Sequence, residues 1–335
     1  MRGSRKNRSM KIFASAMLPT SLLVAASSAW PQRNATADYP TRPIRMLCGF
    51  SAGGGSDFAA RIVGAKLHEI LGQTVVIDNR TGANGAIAAE IAARAFADGY
   101  TLMMLAVAQA TGAASGIKLP YDLLRDFVAV SQATQQPYLV VVTPSVAARN
   151  VSEFIALAKS RPGQMSYAST GFAGSNHLAA ELFSRAAGIR MLHVPYKGPP
   201  QALADVIGGQ VQFMISSIQT SLPLARGGKL RALAVTSEKR SNAAPDIPPV
   251  SDTLPGFQLT GWYGVLAPAA TSLRIIDKLA VAIALGMQSP EVQARVAADG
   301  SEAVGSSHKD FDRFLRSEMV RFAKVIKDAG LRSSE

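Results

Sequence analysis

The stretch Phe50-Ser51-Ala52-Gly53-Gly54-Gly55-Ser56-Asp57-Phe58-Ala59-Ala60-Arg61 constrains this chain more than any other. An apolar run from Ile44 to Phe50 enters it, and Ala59, Ile62, Val63, Leu67 and Ile70 leave it at helical spacing. The pattern predicts a strand, a glycine loop and a helix. Three consecutive glycines let a ligand approach the backbone closely. Ser56 is a good N-cap, so free N–H groups and the positive helix end would face whatever sits above the loop. A glycine-rich strand-to-helix turn also occurs in α/β chains where it only reverses direction. Two nucleotide readings fall: no Gly-Lys-Ser/Thr follows the glycines, and their spacing is not Gly-x-Gly-x-x-Gly. A small carboxylate or similar anion remains the fitting occupant.

The same alternation continues. Gly72 suits a helix C-terminus, and Thr74 to Asp78 reads as a short buried strand feeding Asn79-Arg80-Thr81-Gly82-Ala83-Asn84-Gly85. A helix through Ile87, Ile91, Ala92 and Ala95 follows, then a strand from Tyr100 to Ala106. This βαβ order predicts a parallel sheet whose loops gather at the carboxyl ends of its strands, where ligands bind. Leu119-Pro120-Tyr121-Asp122 breaks the pattern. Two strands, Phe127 to Val130 and Tyr138 to Val142, then flank a polar stretch from Ser131 to Gln136, where a domain crossing is expected.

A second α/β series opens with Asn150-Val151-Ser152-Glu153, a capping-box pattern, and a strand at Met165 to Ser169. There the opening theme recurs. Gly174-Ser175-Asn176 with Ala179-Ala180 echoes Gly55-Ser56-Asp57 with Ala59-Ala60. Two such helix starts facing across a groove would hold one anion between them. Leu259 to Ala267 reads as the return crossing, followed by helices near Ser272 to Leu285, Pro290 to Ala298 and Lys309 to Ala329. The expected division is 38–136 with 259–335 as one discontinuous domain and 137–258 as the other.

Charge and compartment follow from the first 37 residues. They carry Arg2, Arg5, Lys6, Arg8, Lys11 and Arg33 with no acid, so the net charge falls from +12 by those six to +6 without them. The remaining basic residues are scattered, which argues against a nucleic-acid surface. A basic start, an apolar stretch from Ile12 to Ala29 and then small residues predict a secretory signal peptide over 1–37, with cleavage after Ala37 or Ala29. The single cysteine, Cys48, excludes an internal disulfide.

Several side chains carry chemistry of their own. Asp57 either complements the helix end or meets an ammonium or hydroxyl of the ligand, since a carboxylate would repel it. Ser175 beside His177 raises the alternative of a secreted serine esterase, although residues two apart at a helix start do not face each other. Lys197 and Tyr196 share a loop after Pro195 that could contact a ligand, and Ser216 and Ser217 could donate hydroxyls or cap the next helix. His68, His177, His193 and His308 are dispersed, and neither a metal nor a cofactor is expected.

Taken together, an ordered set of motifs resembles the Bug-type, TctC-like periplasmic solute receptors of tripartite tricarboxylate transporters. The set comprises Tyr39-Pro40-Thr41-Arg42-Pro43-Ile44, the glycine loop ending Ser56-Asp57, Asn79-Arg80 with Gly82-Ala83, and Asp98-Gly99-Tyr100-Thr101-Leu102. It continues with Leu119-Pro120-Tyr121-Asp122, Gly174-Ser175 with His177-Leu178 and Glu181-Leu182-Phe183, and His193-Val194-Pro195-Tyr196-Lys197-Gly198. Arg231-Ala232-Leu233-Ala234-Val235 and Trp262-Tyr263-Gly264 complete it. The resemblance implies two α/β domains joined by a two-strand hinge, a Venus flytrap that closes on a small carboxylate. It also implies a monomeric, non-enzymatic receptor outside the cytoplasm, serving a membrane transporter or a sensor protein. The ligand contacts would come from Ser51, Ala52, Gly53, Gly54, Ser56 and Asp57 and from Thr170, Gly171, Ser175 and Asn176, with Tyr196 and Ser216 beside them. Gly49 and Ala52 stand where the family usually has prolines, which implies a less rigid first loop.

Overall fold

The computed structural model describes residues 38–171, 174–196 and 198–328. The signal-peptide expectation for residues 1–37 and the expectation for Lys197 lie outside the described residues. Strands β1 (Ile44–Cys48), β2 (Val75–Asn79) and β3 (Thr101–Ala106) run parallel in the order β2-β1-β3. They are connected through α1 (Gly55–Leu71) and α2 (Ala86–Ala93). Met46, Leu47, Cys48 and Leu102 to Leu105 are fully buried, as continuous apolar strands between covering helices must be. A further helix, α3 (Val107–Ala114), follows β3 directly.

The main correction to the sequence reading concerns the polar stretch. The two expected strands are one, β4, running 16 residues from Phe127 to Val142. At about 3.3 Å per residue it spans about 50 Å. Ser131 to Gln136 belong to it because their backbone groups are paired, whatever their polarity. β9 (Thr260–Pro268) runs antiparallel to β4 from Phe127 to Pro137, and β10 (Glu302–Ala303) pairs with Gln135 and Thr134. The partners then change. Tyr138 to Val142 pair with β7 (Phe213–Ser217), and Leu139 to Val142 pair with β8 (Arg231–Val235). Pro137, which has no N–H to offer, stands where the ladder changes hands.

The second lobe is built on this far half of β4. Its order is β4-β7-β5-β6, with β5 (Ser166–Ser169) parallel to both β6 (Leu192–Pro195) and β7. Helices α4 (Val151–Ser160), α5 (Ser175–Ala187), α6 (Pro199–Ile207) and α7 (Ile218–Arg226) connect the strands. The Asn150 side chain caps α4 by accepting from the Glu153 N–H at 2.9 Å, and Glu153 Oε1 accepts in return from Asn150 Nδ2 at 2.9 Å. The chain re-enters the first lobe past Thr236, whose hydroxyl is fully buried. That hydroxyl accepts from the Tyr138 N–H at 2.8 Å and donates to the Leu259 carbonyl at 2.6 Å, tying both crossings together.

Helices α8 (Leu273–Met287), α9 (Pro290–Ala298) and α10 (His308–Asp328) complete the first lobe. α10 buries Phe311, Leu315, Phe322 and Ile326. Trp262 of β9 meets the Phe311 ring edge-on at 6.0 Å and donates its indole N–H to Glu318 at 3.1 Å.

Candidate functional site

The first loop is closed by charge. α1 begins one residue after Gly54, which holds the N-cap position, so the expectation that Ser56 caps the helix is corrected. Ser56 lies inside the first turn, buried, with its hydroxyl 3.0 Å from Cys48 Sγ. Asp57 is buried too. Its carboxylate accepts from the Gly53 N–H at 3.0 Å and from Arg61 Nε at 2.8 Å and Nη2 at 3.0 Å. Burial opposes the charge on Asp57, yet the hydrogen bonds from Arg61 and Gly53 outweigh it and hold the carboxyl below its usual range. Asp57 thus shapes the loop. Ser51, Ala52, Gly53 and Gly54 are exposed, and Gly53 adopts φ +80°, which a side chain would resist.

Neutral hydrogen bonds hold the second loop instead. Gly174 is the N-cap of α5. The Thr170 hydroxyl donates to Asn176 Oδ1 at 3.0 Å, and Asn176 Nδ2 donates to the Ile215 carbonyl at 2.6 Å. Ser169 Oγ accepts the Gly171 N–H at 3.2 Å and lies 2.6 Å from His193 Nε2. Thr170 and Ser175 are half-buried and Asn176 is buried.

A polar strip on the crossing strands joins the two helix starts. Gln136 and Tyr138 are two apart on β4, Gly261 and Tyr263 are two apart on β9, and Gly261 pairs with Gln136, so all four lie on one face. A Cβ on Gly55 would collide with the Tyr263 hydroxyl, which places that phenol against the start of α1. At the other end Tyr138 hydrogen-bonds Ser175 at the start of α5, and burial pushes its phenol up to about 12. Gln136, 3% exposed, bridges toward Tyr263, while its Oε1 has no hydrogen-bond partner among the described residues. That acceptor would suit a hydroxyl or water carried by an occupant. Residues of this strip escaped the sequence reading, although the alternation Thr134, Gln136, Tyr138 carried the signal.

The remaining expected residues have other partners. The Tyr196 hydroxyl donates to Asp205 at 2.6 Å, and the buried Ser216 hydroxyl lies 3.2 Å from Thr220 Oγ1. Ser217 is the N-cap residue of α7, without a side-chain cap bond, and its hydroxyl lies 2.9 Å from Thr220 Oγ1. A further tie between the lobes was not anticipated. Gln219 of α7 donates to Ser301 Oγ at 2.8 Å and also bonds Asp299, whose carboxyl is raised by burial. A separate open groove of about 410 Å³ runs along the first lobe between α2 and α3, lined by Ile87, Gln109, Ile117, Leu119 and Tyr121. Its lining also includes Asn84, Glu90 and Lys118 but belongs to the first lobe alone, so it is not the crevice between the two helix starts.

Residues 59–331 match a family of receptors described as the tripartite tricarboxylate transporter family receptor. The chain belongs to that family. Protein BugT of Bordetella pertussis is 35% identical to this receptor over 295 residues, 87% of this chain and 90% of that protein. A structure of a periplasmic transporter shares 35% identity with a TM-score of 0.79, covering 88% of this chain and 99% of its own. An R. palustris protein solved with adipate gives 34% and 0.80, over 87% and 98%. MatC from Rhodopseudomonas palustris, solved with bound malate, gives 28% and 0.76, over 86% and 100%. Membership in a family of receptors sets aside the esterase reading of Ser175 and His177. No helix among the described residues is long and apolar enough to cross a membrane, and no cluster among them could hold a metal ion.

Proposed function

We propose that this receptor captures a small carboxylate between its lobes outside the cytoplasm and delivers it to the membrane subunits of a tripartite tricarboxylate-type transporter. One observation carries the reading: the starts of α1 and α5, each capped by glycine, adjoin the same polar strip. Backbone N–H groups at a helix start, with its positive dipole end, suit an anion. On this reading Ser51 to Gly54 supply one side of the grip, and Thr170, Gly171, Ser175 and Asn176 the other. Ser56, Asp57, Tyr196 and Ser216 support those loops through the partners described above. Residues 38–136 with 259–335 move as one body, and 137–258 as the other. The relatives solved with adipate and malate support the ligand class, and the basic-then-apolar start of the sequence supports export.

The test is a screen of the purified chain from Asp38 onward against mono-, di- and tricarboxylates, amino acids and aromatic acids by thermal shift and calorimetry. A true ligand raises the melting temperature by mass action, because it binds the folded state alone. Trp262, the residue before Tyr263 on β9, faces α10 on the other side of the strand, so its fluorescence reports closure of the lobes rather than contact with the ligand. Absence of stabilisation by any acid in the screen would overturn the proposal.

A further inference from the structure

Beneath the second loop lies a group of rings that the reading above does not use. His177 of α5 and His193 of β6 are stacked face to face, their ring centroids 3.9 Å apart and their planes 8° from parallel. Tyr167 of β5 stacks on the same group, 5.0 Å from His193 and 6.0 Å from His177. Its hydroxyl donates to Glu181 of α5 at 2.6 Å. His193 Nε2 reaches Ser169 Oγ at 2.6 Å, and that oxygen accepts the Gly171 N–H. The ring is therefore one hydrogen bond away from the turn that opens α5. Parallel imidazole faces aim no lone pairs at a common point, so the pair is not a metal chelate.

We infer that the His177–His193 stack is an acid-sensitive support for the second loop, holding the Ser169–Gly171 turn in its ligand-binding shape only while both rings are uncharged. Ser169 Oγ accepts the Gly171 N–H, and its own proton has two acceptors within reach, the Gly171 carbonyl at 3.2 Å and, when that nitrogen carries no proton, His193 Nε2 at 2.6 Å. A protonated His193 can only donate to that oxygen, which leaves the hydroxyl proton to the Gly171 carbonyl and so changes the hydrogen bonding of the turn itself. A second positive charge at 3.9 Å is disfavoured, whichever ring is charged first. The facing groups set the order. Burial, then the neighbouring His193, lowers His177 to about 4. Burial lowers His193 as well, but the Glu181 carboxylate opposes it, so His193 takes the first proton. Tyr167 stays neutral, its phenol raised by burial and by Glu181. His193 acts here as a positioning residue, and the effect on affinity rests on the carboxylate-grip reading.

Two measurements test this. In the ligand-free protein, the Gly171 amide resonance and the ring signals of His177 and His193 are followed by NMR from pH 7.5 to 4.5. The Gly171 signal is expected to shift with the midpoint of His193. A Gly171 signal that stays still while the rings titrate would overturn the inference, and this needs no ligand and no variant. Adipate and malate affinities are then compared at pH 7.5 and 5.0 in the wild type and in His177→Phe/His193→Gln, which keeps a stack and a partner for Ser169 without a titrating ring. Ionisation of the acids themselves affects both proteins alike. The wild type is expected to lose about tenfold more affinity than the variant, the factor that one unit of pKa supplies; equal losses would sink the idea. Failure of both acids to bind at pH 7.5 would count against the ligand reading alone, and the NMR titration would still decide this one.

Discussion

The two glycine loops perform matching tasks with opposite materials. The first is exposed at Ser51 to Gly54 and is closed by an ion pair, Asp57 with Arg61, whose guanidinium is half in water. The second is held by buried neutral groups: Asn176 against the Ile215 carbonyl, and Ser169 against His193. A partly solvated pair is cheap to form, adds little stability and is screened by salt. Buried neutral bonds stabilise modestly while intact, but each is costly to leave half-made. Loss of a closing side chain, or mild acid, should therefore be tolerated in the first loop and not in the second.

Acid gives the largest expected contrast. The folded pKa of His177, about 4, lies below its ordinary 6.5, so the unfolded chain binds the proton first as pH falls. Stability is unaffected above pH 6.5 and declines toward pH 4, by about 3 kcal/mol for a shift of this size. The carboxyl of Asp57 is held below its ordinary 3.8, so its contribution is present above that value and is lost only as pH falls below it. Urea unfolding between pH 7.5 and 4.5 should show the decline in wild type and a much flatter profile in His177→Phe/His193→Gln, which removes both lowered imidazoles. Parallel profiles would erase the distinction between the loops.

Asn176→Ala should come next. It leaves the buried Ile215 carbonyl without its donor and costs about 1–3 kcal/mol in urea unfolding. Asp57→Asn in the first loop should cost about 1 kcal/mol or less. If Asp57→Asn proved the more damaging, the assignment of strong and weak closures would be reversed. The smallest effects separate the two helix starts. Gly55→Ala drives a methyl into the Tyr263 hydroxyl, a penalty of about 1–3 kcal/mol that helix propensity offsets by about 1. Gly174→Ala meets only Gly171 O at 3.3 Å and Thr170 Oγ1 at 3.5 Å, and should change stability by a few tenths of a kcal/mol. Carboxylate affinity should fall for Gly55→Ala and hold for Gly174→Ala. Equal losses would mean that the strip does not set the position of α1.

The sequence made the β1-loop-α1 unit legible because its apolar period changes from strand to helix across three glycines, and the helix from Pro290 to Ala298 because proline marks its start. Ser56 misled because a hydroxyl near a helix start suggests a cap, whereas here the N-cap is Gly54, two residues earlier, and Cys48 claims the hydroxyl. β4 was split because hydrophobicity was asked to report pairing. Gln132, Thr134 and Gln136 are buried polar residues of a strand with ladder partners on either side. The histidine stack was illegible for a different reason. His177 and His193 are brought together only when β6 pairs with β5 and α5 packs beside it, and no local spacing encodes that.

The path of the chain through β9 bears on how this protein is assembled. β3 receives its outer neighbour only from residues 260–268, after the whole of the second lobe has been made. In a chain emerging amino end first, β2, β1 and β3 therefore present an unfilled edge for some 150 residues of further growth, and unfilled edges recruit strands from other molecules. The second lobe is contiguous and can close early, whereas the first must wait for the residues from Thr260 onward. Truncations ending before Thr260 should consequently aggregate, and slow maturation of the first lobe would set the window in which a chaperone is needed.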